Sequence, residues 1–276
     1  MLHAPIERVF GVAADAEALP PDPTSEAVPL AALARSGRWA HATMRASSRH
    51  TILHVTRGAG CIVMGGLRHG YSAGDAALVP AGVMFALDLP RGVQGTLFAI
   101  PAAMIPDAPR APRRARSPGS DAVAQAAAMA AELAEEVRDR RPGRERAVAC
   151  RAGLLALWIE RECAPPPRRS EAEALAREMA SLVEQRLRSG RRAGDYARAL
   201  GVAPAALDAA CQAVLGRTAE EVVTERLLHE ARRHLRRTDW PLSAIARRLG
   251  MGSGAQLAQL LQARCGLTVE APRAAR

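Results

Sequence analysis

The chain has no lysine and no asparagine, and all 38 of its basic side chains are arginine. Codon usage explains arginine in place of lysine as readily as function does, so that choice excludes nothing. Cysteine is scarce and scattered: Cys61, Cys150, Cys163, Cys211 and Cys265 form no CxxC pair, and their number is odd. That excludes a disulfide framework and argues against a zinc ribbon or finger, so free, mostly buried thiols are expected. No run approaches the roughly 18 consecutive apolar residues of a membrane-spanning helix. The start, with Glu7, Asp15 and Glu17 and no long apolar stretch, does not read as a secretory signal, and a cytoplasmic location is expected. There is no G-x-S-x-G, no P-loop and no dinucleotide fingerprint, since Gly58-Ala59-Gly60 lacks the strand-to-helix context, so an enzyme is disfavoured.

What is present is an ordinary globular composition, 49% hydrophobic and 24% charged over 276 residues, enough for two domains with real cores. The net charge of +10 is unevenly placed. Residues 1–109 balance eight arginines against eight acids, residues 110–167 carry +3, and residues 168–276 carry +7. Codon bias does not produce such a gradient. A neutral front half joined to a basic back half reads as a sensor attached to something that meets a polyanion.

Short Val/Ile/Leu-bearing segments between residues 39 and 100, such as Thr51–Thr56, Cys61–Met64 and Ala76–Val79, alternate with Gly58, Gly60, Gly65-Gly66, Gly70, Gly74 and Gly82. That turn density predicts a small antiparallel barrel. The Pro/Arg-rich stretch 106–120 reads as a linker or loop. A strong helix former then starts near Asp121, read as an N-cap, and closes at Pro142-Gly143; a second helix runs from about Arg144 to Glu162. Val123, Ala127, Ala130, Leu133 and Val137 make an apolar stripe on the first of these helices. It suits either a dimer interface or packing against the open face of the barrel. The run APPPRR at 164–169 breaks the chain again, and everything from Glu171 onward reads as short helices.

Among these helices a single pattern occurs twice, as DYARALGVAPAALDAACQAVLG (195–216) and LSAIARRLGMGSGAQLAQLLQARCG (242–266). Aligned on Ala-x-x-Leu-Gly, the copies place Gly201 and Gly250 in the tight turn between two helices, with Leu207 and Leu257 inside the second helix. Gly216 and Gly266 close each unit, where a left-handed residue is expected. Ala197 and Ala246 stay small where the helices cross. Between the copies, residues 220–240 form one long amphipathic helix.

On these residues the chain resembles the AraC/XylS family of transcription regulators over about 171–268. Arg226-Leu227, Glu230-Ala231, Leu235, Thr238, Ile245-Ala246, Leu249-Gly250 and Gly266-x-Thr268 carry the likeness. The front half is similar to a cupin-like sensor, through Gly74-Asp75 and Pro80-x-Gly82. The resemblance implies an α+β two-domain chain. A cupin-like sensor barrel would occupy 1–110, a linker and helical dimerisation segment 111–170, and a double helix-turn-helix DNA-binding domain 171–276. It implies double-stranded DNA as partner through two recognition helices in successive major grooves, a homodimer, a small-molecule effector and RNA polymerase, with no cofactor and no membrane.

The chain departs from the family's pattern on the first recognition helix. Its outward positions are Ala203, Ala205, Ala206, Asp208 and Ala209, with Gln212 the only uncharged polar one. Aromatic bracing positions are Cys211, Leu257 and Leu261, and the closing Pro-x-x-Tyr-Arg is replaced by Val269-Glu270-Ala271-Pro272-Arg273. Base readout is therefore expected from Gln256 and Gln259, with Gln212 and Ser253. Arg247 and Arg248 are expected on phosphates, and Arg232, Arg233, Arg236 and Arg237 are further candidates. A regulator with weakened base readout that acts through a protein partner is the alternative; a metal-dependent cupin enzyme is a second. The metal pattern is incomplete. His41, His50, His54 and His69 contain no His-x-His, no Glu lies between residues 27 and 131, and Phe85 stands where a histidine is expected. No metal is expected; Trp39, His50, His54 and Phe85 are instead the candidate ligand-binding residues of the barrel.

Overall fold

The computed structural model describes residues 23–116, 119–139, 141–163, 170–187 and 192–266. The chain divides into two compact units, Pro21–Arg168 and the C-terminal Arg169–Arg276.

The N-terminal unit holds two antiparallel sheets. Strands β1 (Glu26–Pro29), β2 (Arg49–Arg57), β5 (Ala76–Val79), β7 (Gln94–Pro101) and β8 (Arg113–Ala115) form a five-stranded sheet in the order β1-β7-β2-β5-β8. Strands β3 (Gly60–Met64), β4 (Leu67–Tyr71) and β6 (Phe85–Asp88) form the second, in the order β4-β3-β6. Successive side chains of a strand point to opposite faces, and β2 shows how the unit uses this. Leu53 and Val55 face inward, packing with Ile62, Met64, Phe85 and Leu87 of the other sheet. Ile52 faces outward, into a second core shared with two helices. Short helices α1 (Leu30–Arg35) and α2 (Arg38–His41) lie between β1 and β2 in the chain.

The two helices are α3 (Ser120–Arg138) and α4 (Arg144–Arg161). Asp121 sits in the first turn of α3, where a carboxylate suits the helix dipole, while Gly119 takes the N-cap position without a side-chain bond. Ala126, Ala130, Leu133 and Val137 of α3 and Val148, Leu155 and Ile159 of α4 are buried against Ile52, Leu78, Phe98 and Ile100 of the five-stranded sheet. The α3 stripe is thus used within the chain, on the open face of the sheet rather than on a second copy, for Ala130, Leu133 and Val137. The two helices cluster with the sheets rather than forming a separate segment.

The stretch 106–120 is also not all loop. Arg113–Ala115 pairs with β5, and Ala115 is fully buried. A three-residue edge strand with one inward alanine has almost no local signature; long-range pairing creates it.

The C-terminal unit is helical: α5 (Glu171–Arg186), α6 (Ala193–Ala199), α7 (Pro204–Leu215), α8 (Ala219–Arg237), α9 (Leu242–Arg248) and α10 (Gly254–Cys265). Capping boxes start α5 (Ser170 with Glu173) and α8 (Thr218 with Glu221), each satisfying two backbone donors reciprocally. No helix of the described residues is long and apolar enough to cross a membrane. The break at 164–169 and the closing segment 267–276 lie outside the described residues.

Candidate nucleic-acid interface

The repeat seen in the sequence is a repeat of backbone geometry. In the first unit the Val202 N–H donates to the Ala197 carbonyl at 3.0 Å, and in the second the Met251 N–H donates to the Ala246 carbonyl at 2.9 Å. Such six-residue closures need a left-handed residue, and Gly201 (φ +71°) and Gly250 (φ +67°) supply it. Ala197, Leu207, Ala246 and Leu257 are all fully buried, forming the crossing of α6 with α7 and of α9 with α10. Gly254 has a separate role: a Cβ there would lie 2.9 Å from the Ser243 backbone nitrogen, so α9 and α10 approach through a side-chain-free position.

The faces turned outward differ between the units. On α10, Ala255, Gln256, Gln259, Gln262 and Ala263 are exposed. On α7 the exposed set is Pro204, Ala205, Ala206, Asp208, Ala209, Gln212 and Ala213. Two residues expected on these faces have structural duties. Ser253 is the N-cap of α10, its hydroxyl oxygen accepting the Gln256 N–H at 3.2 Å. Asp208 accepts the Ala219 N–H at 2.8 Å and so ties α7 to the start of α8.

Residues 196–275 match the helix-turn-helix domain family. The C-terminal region carries a helix-turn-helix domain. No curated protein matches the chain. Among solved structures, ToxT from Vibrio cholerae strain SCE256 with an unsaturated fatty acid bound is 9% identical at a TM-score of 0.44. The alignment covers 90% of this chain and 94% of that one. A transcriptional regulator from Chromobacterium violaceum, described as an AraC-type DNA-binding domain-containing protein, is 23% identical at a TM-score of 0.35; it covers 37% of this chain and 92% of that one.

The arginines of the helix-turn-helix domain separate into two groups. Arg236, Arg237, Arg247 and Arg264 are exposed. Arg248 is half-buried, with its guanidinium carbon 5.3 Å from the centre of the Trp240 ring, so it braces the chain before α9 rather than standing free for a phosphate. Trp240 also stacks on His234, the ring centres being 5.3 Å apart. Arg233 pairs with Glu230 at 2.8 Å. Burial pulls the Arg232 guanidinium below its ordinary value, as does the neighbouring charge of Arg236.

Beneath these lies a feature that sequence inspection read only as part of a family signature. Arg226, 6% exposed, donates to both oxygens of Glu184 on α5 (2.6 and 3.1 Å) and to Glu230 on its own helix (3.2 Å). Burial pushes the Glu230 carboxyl up, but Arg226, Arg233 and His234 together hold it below its ordinary 4.5.

The four candidate ligand residues of the N-terminal unit do not line one pocket. Phe85 is buried between the sheets, with the Arg45 guanidinium 5.8 Å from its ring centre. His50 and His54 share the face of Ile52 and therefore look the other way, toward the layer of α3 and α4. Trp39 sits half-exposed on α2. The His50 ring accepts the Ala81 N–H at 3.1 Å and also meets the backbone of Ala102 and Ile105; burial outweighs these contacts and lowers its pKa below 6.5. His54 is 3% exposed, burial lowers its pKa in the same sense, and its Nε2 has no hydrogen-bond partner. His41 bonds the Leu87 carbonyl at 2.8 Å. Among the described residues no three His, Cys, Asp or Glu side chains converge as a metal site.

Proposed function

We propose that the chain is a sequence-specific, DNA-binding transcription regulator whose N-terminal unit answers to a small-molecule effector. The observation that carries the reading is the exposed glutamine row of α10, Gln256, Gln259 and Gln262, flanked by exposed Arg247 and Arg264. A glutamine side chain matches the N6 and N7 groups of adenine in the major groove, and arginines neutralise phosphates on either side. Contact with RNA polymerase would convert occupancy into altered transcription. The effector reading finds support in the sheet–helix layer. His54 Nε2 and Trp158 Nε1 are both buried there without a hydrogen-bond partner, an arrangement that a polar ligand would relieve.

The test is binding of the whole protein to DNA from upstream of its own gene and to scrambled DNA, across a salt series. A preference surviving at about 0.15 M salt is expected. Phosphate contacts by Arg236, Arg237, Arg247 and Arg264 predict a log–log slope of about −3 to −4 for each protomer. Equal binding to both DNAs that collapses with salt would leave the arginines acting on phosphates alone, and action through a protein partner would replace this reading.

Pairing of two copies is proposed through α4 rather than α3. Leu154 and Leu157 are 57% and 42% exposed, the large apolar side chains left uncovered among the described residues, and Cys150 shares their face. Replacing both leucines by glutamate is expected to turn a dimer into a monomer in sedimentation while leaving the melting temperature of the N-terminal unit unchanged. A wild-type chain that sediments as a monomer at tens of micromolar would overturn it.

A further inference from the structure

The two recognition helices are superposable in register yet chemically unlike. Counted back from their left-handed closing glycines, Gly216 and Gly266, the positions of α7 and α10 correspond one to one. The inward residues keep their character: Leu207 with Leu257 and Cys211 with Leu261 are fully buried pairs. Among the outward ones, Ala205, Gln212 and Ala213 recur as Ala255, Gln262 and Ala263, whereas Ala206 and Ala209 face Gln256 and Gln259. Charge divides in the same way. α7 has one carboxylate, Asp208, and no cation; α10 has Arg264 and no acid. Even the matching arginines of the turns differ, because Arg198 is paired to Asp195 at 3.0 Å while the exposed Arg247 has no ion pair among the described residues.

Resting on the DNA-binding reading above, we propose that the helices read different features of A·T pairs. α10 would read the adenine N6/N7 edge through Gln256 and Gln259. α7 would read thymine C5 methyl groups through the bare methyls of Ala206 and Ala209, the two positions at which α10 carries glutamine. The major groove displays both features on each A·T pair, and a methyl surface offers nothing to the exocyclic amine of cytosine or the acceptors of guanine. The recognition sequence is therefore bipartite and A·T-rich, sharply defined under α10 and shallow under α7. A methyl contact is worth about one buried methylene, so each contributes about three- to fourfold in affinity.

Base analogues separate the two modes. The preferred site is selected from random DNA with the full-length protein, and the half contacted by α10 is identified with Gln256→Ala. Uracil, which removes only the thymine methyl, is then placed in one half at a time; 7-deazaadenine, which removes only the N7 acceptor, is placed likewise. Uracil in the α7 half is expected to weaken binding about three- to fourfold per contacted methyl, and 7-deazaadenine there to cost less than in the α10 half, since α7 carries one glutamine, Gln212, against three on α10; the α10 half should be the less sensitive to uracil. Ala206→Gln combined with Ala209→Gln, at two exposed positions, should make the α7 half sensitive to 7-deazaadenine. Indifference of the α7 half to uracil, or a sensitivity of the wild-type α7 half to 7-deazaadenine as great as that of the α10 half, would overturn the proposal while leaving sequence-specific binding intact. Selection that yields no preferred sequence would remove both.

Discussion

Arg226→Ala is expected to destabilise the C-terminal unit by about 3–5 kcal/mol, the usual consequence of removing one partner from a buried ion pair. The guanidinium is the shared donor for Glu184 and Glu230, and it joins α5 to α8 across 42 residues of chain. Without it, Glu184 would be left buried without its guanidinium partner, whereas Glu230 would keep Arg233 at 2.8 Å. Lysine would not replace it, because one ammonium does not reproduce a planar fork that meets both oxygens of Glu184. A typical domain has only about 5–15 kcal/mol of stability in total. The variant should therefore lose DNA binding near physiological temperature through unfolding, with no change at the recognition face. Hydrogen exchange of the α8 amides in the whole protein checks this. A loss of stability below about 1 kcal/mol would mean that the pair does not hold α5 onto α8. Glu184→Leu with Arg226→Met, which removes charge on both sides, should recover much of the loss, since apolar replacement of a whole buried pair is often neutral or better. The lowered Glu230 pKa adds a pH signature. Its contribution to stability is present above about pH 4.5, the ordinary value, and is lost as pH falls through the lower folded value.

Gln256→Ala with Gln259→Ala is expected to remove most of the discrimination between specific and scrambled DNA, leaving only what Gln262 and α7 supply, while the protein stays folded. A bidentate glutamine–adenine pair gives about 1–3 kcal/mol of discrimination, about 5- to 150-fold for each residue. Both side chains are exposed, and alanine is the best helix former, so α10 itself should be unharmed. Nonspecific affinity and its salt slope should stay near wild type, because Arg236, Arg237, Arg247 and Arg264 are untouched. Competition binding against scrambled DNA measures the ratio. Unchanged discrimination in the double variant would move readout elsewhere on the domain. A loss of affinity that is equal on both DNAs would mean that the glutamines contact backbone rather than bases.

Much of the helical half was legible from residues alone, and the reason is locality. A turn glycine three to four residues before a helix, a small residue at the crossing and a glycine at the close are all constraints within about twenty positions. Gly201, Gly250, Gly216 and Gly266 accordingly hold the conformations expected of them. The strands between residues 39 and 100 were legible for the same reason, as short apolar segments between glycines, whereas Glu26–Pro29 lies outside that range. The edge strand Arg113–Ala115 was not, since an Arg-Arg-Ala tripeptide next to prolines carries no periodicity.

Sequence by itself determined that there are two helix-turn-helix units, that an antiparallel β unit precedes them, and which glutamines occupy the second recognition helix. Tertiary structure decided what each polar side chain is for. It placed His50 and His54 on the opposite face of the sheet from Phe85. It spent Ser253 and Asp208 on helix ends, and set Arg248 on Trp240 but left Arg247 exposed. It also turned Arg226 from a helix residue into the buried link between α5 and α8. Periodicity along a chain gives the face of a helix or strand, but a side chain's partner on another element depends on how the elements dock. Docking is settled by the burial of apolar surface over the whole unit, a sum that no short stretch of residues contains.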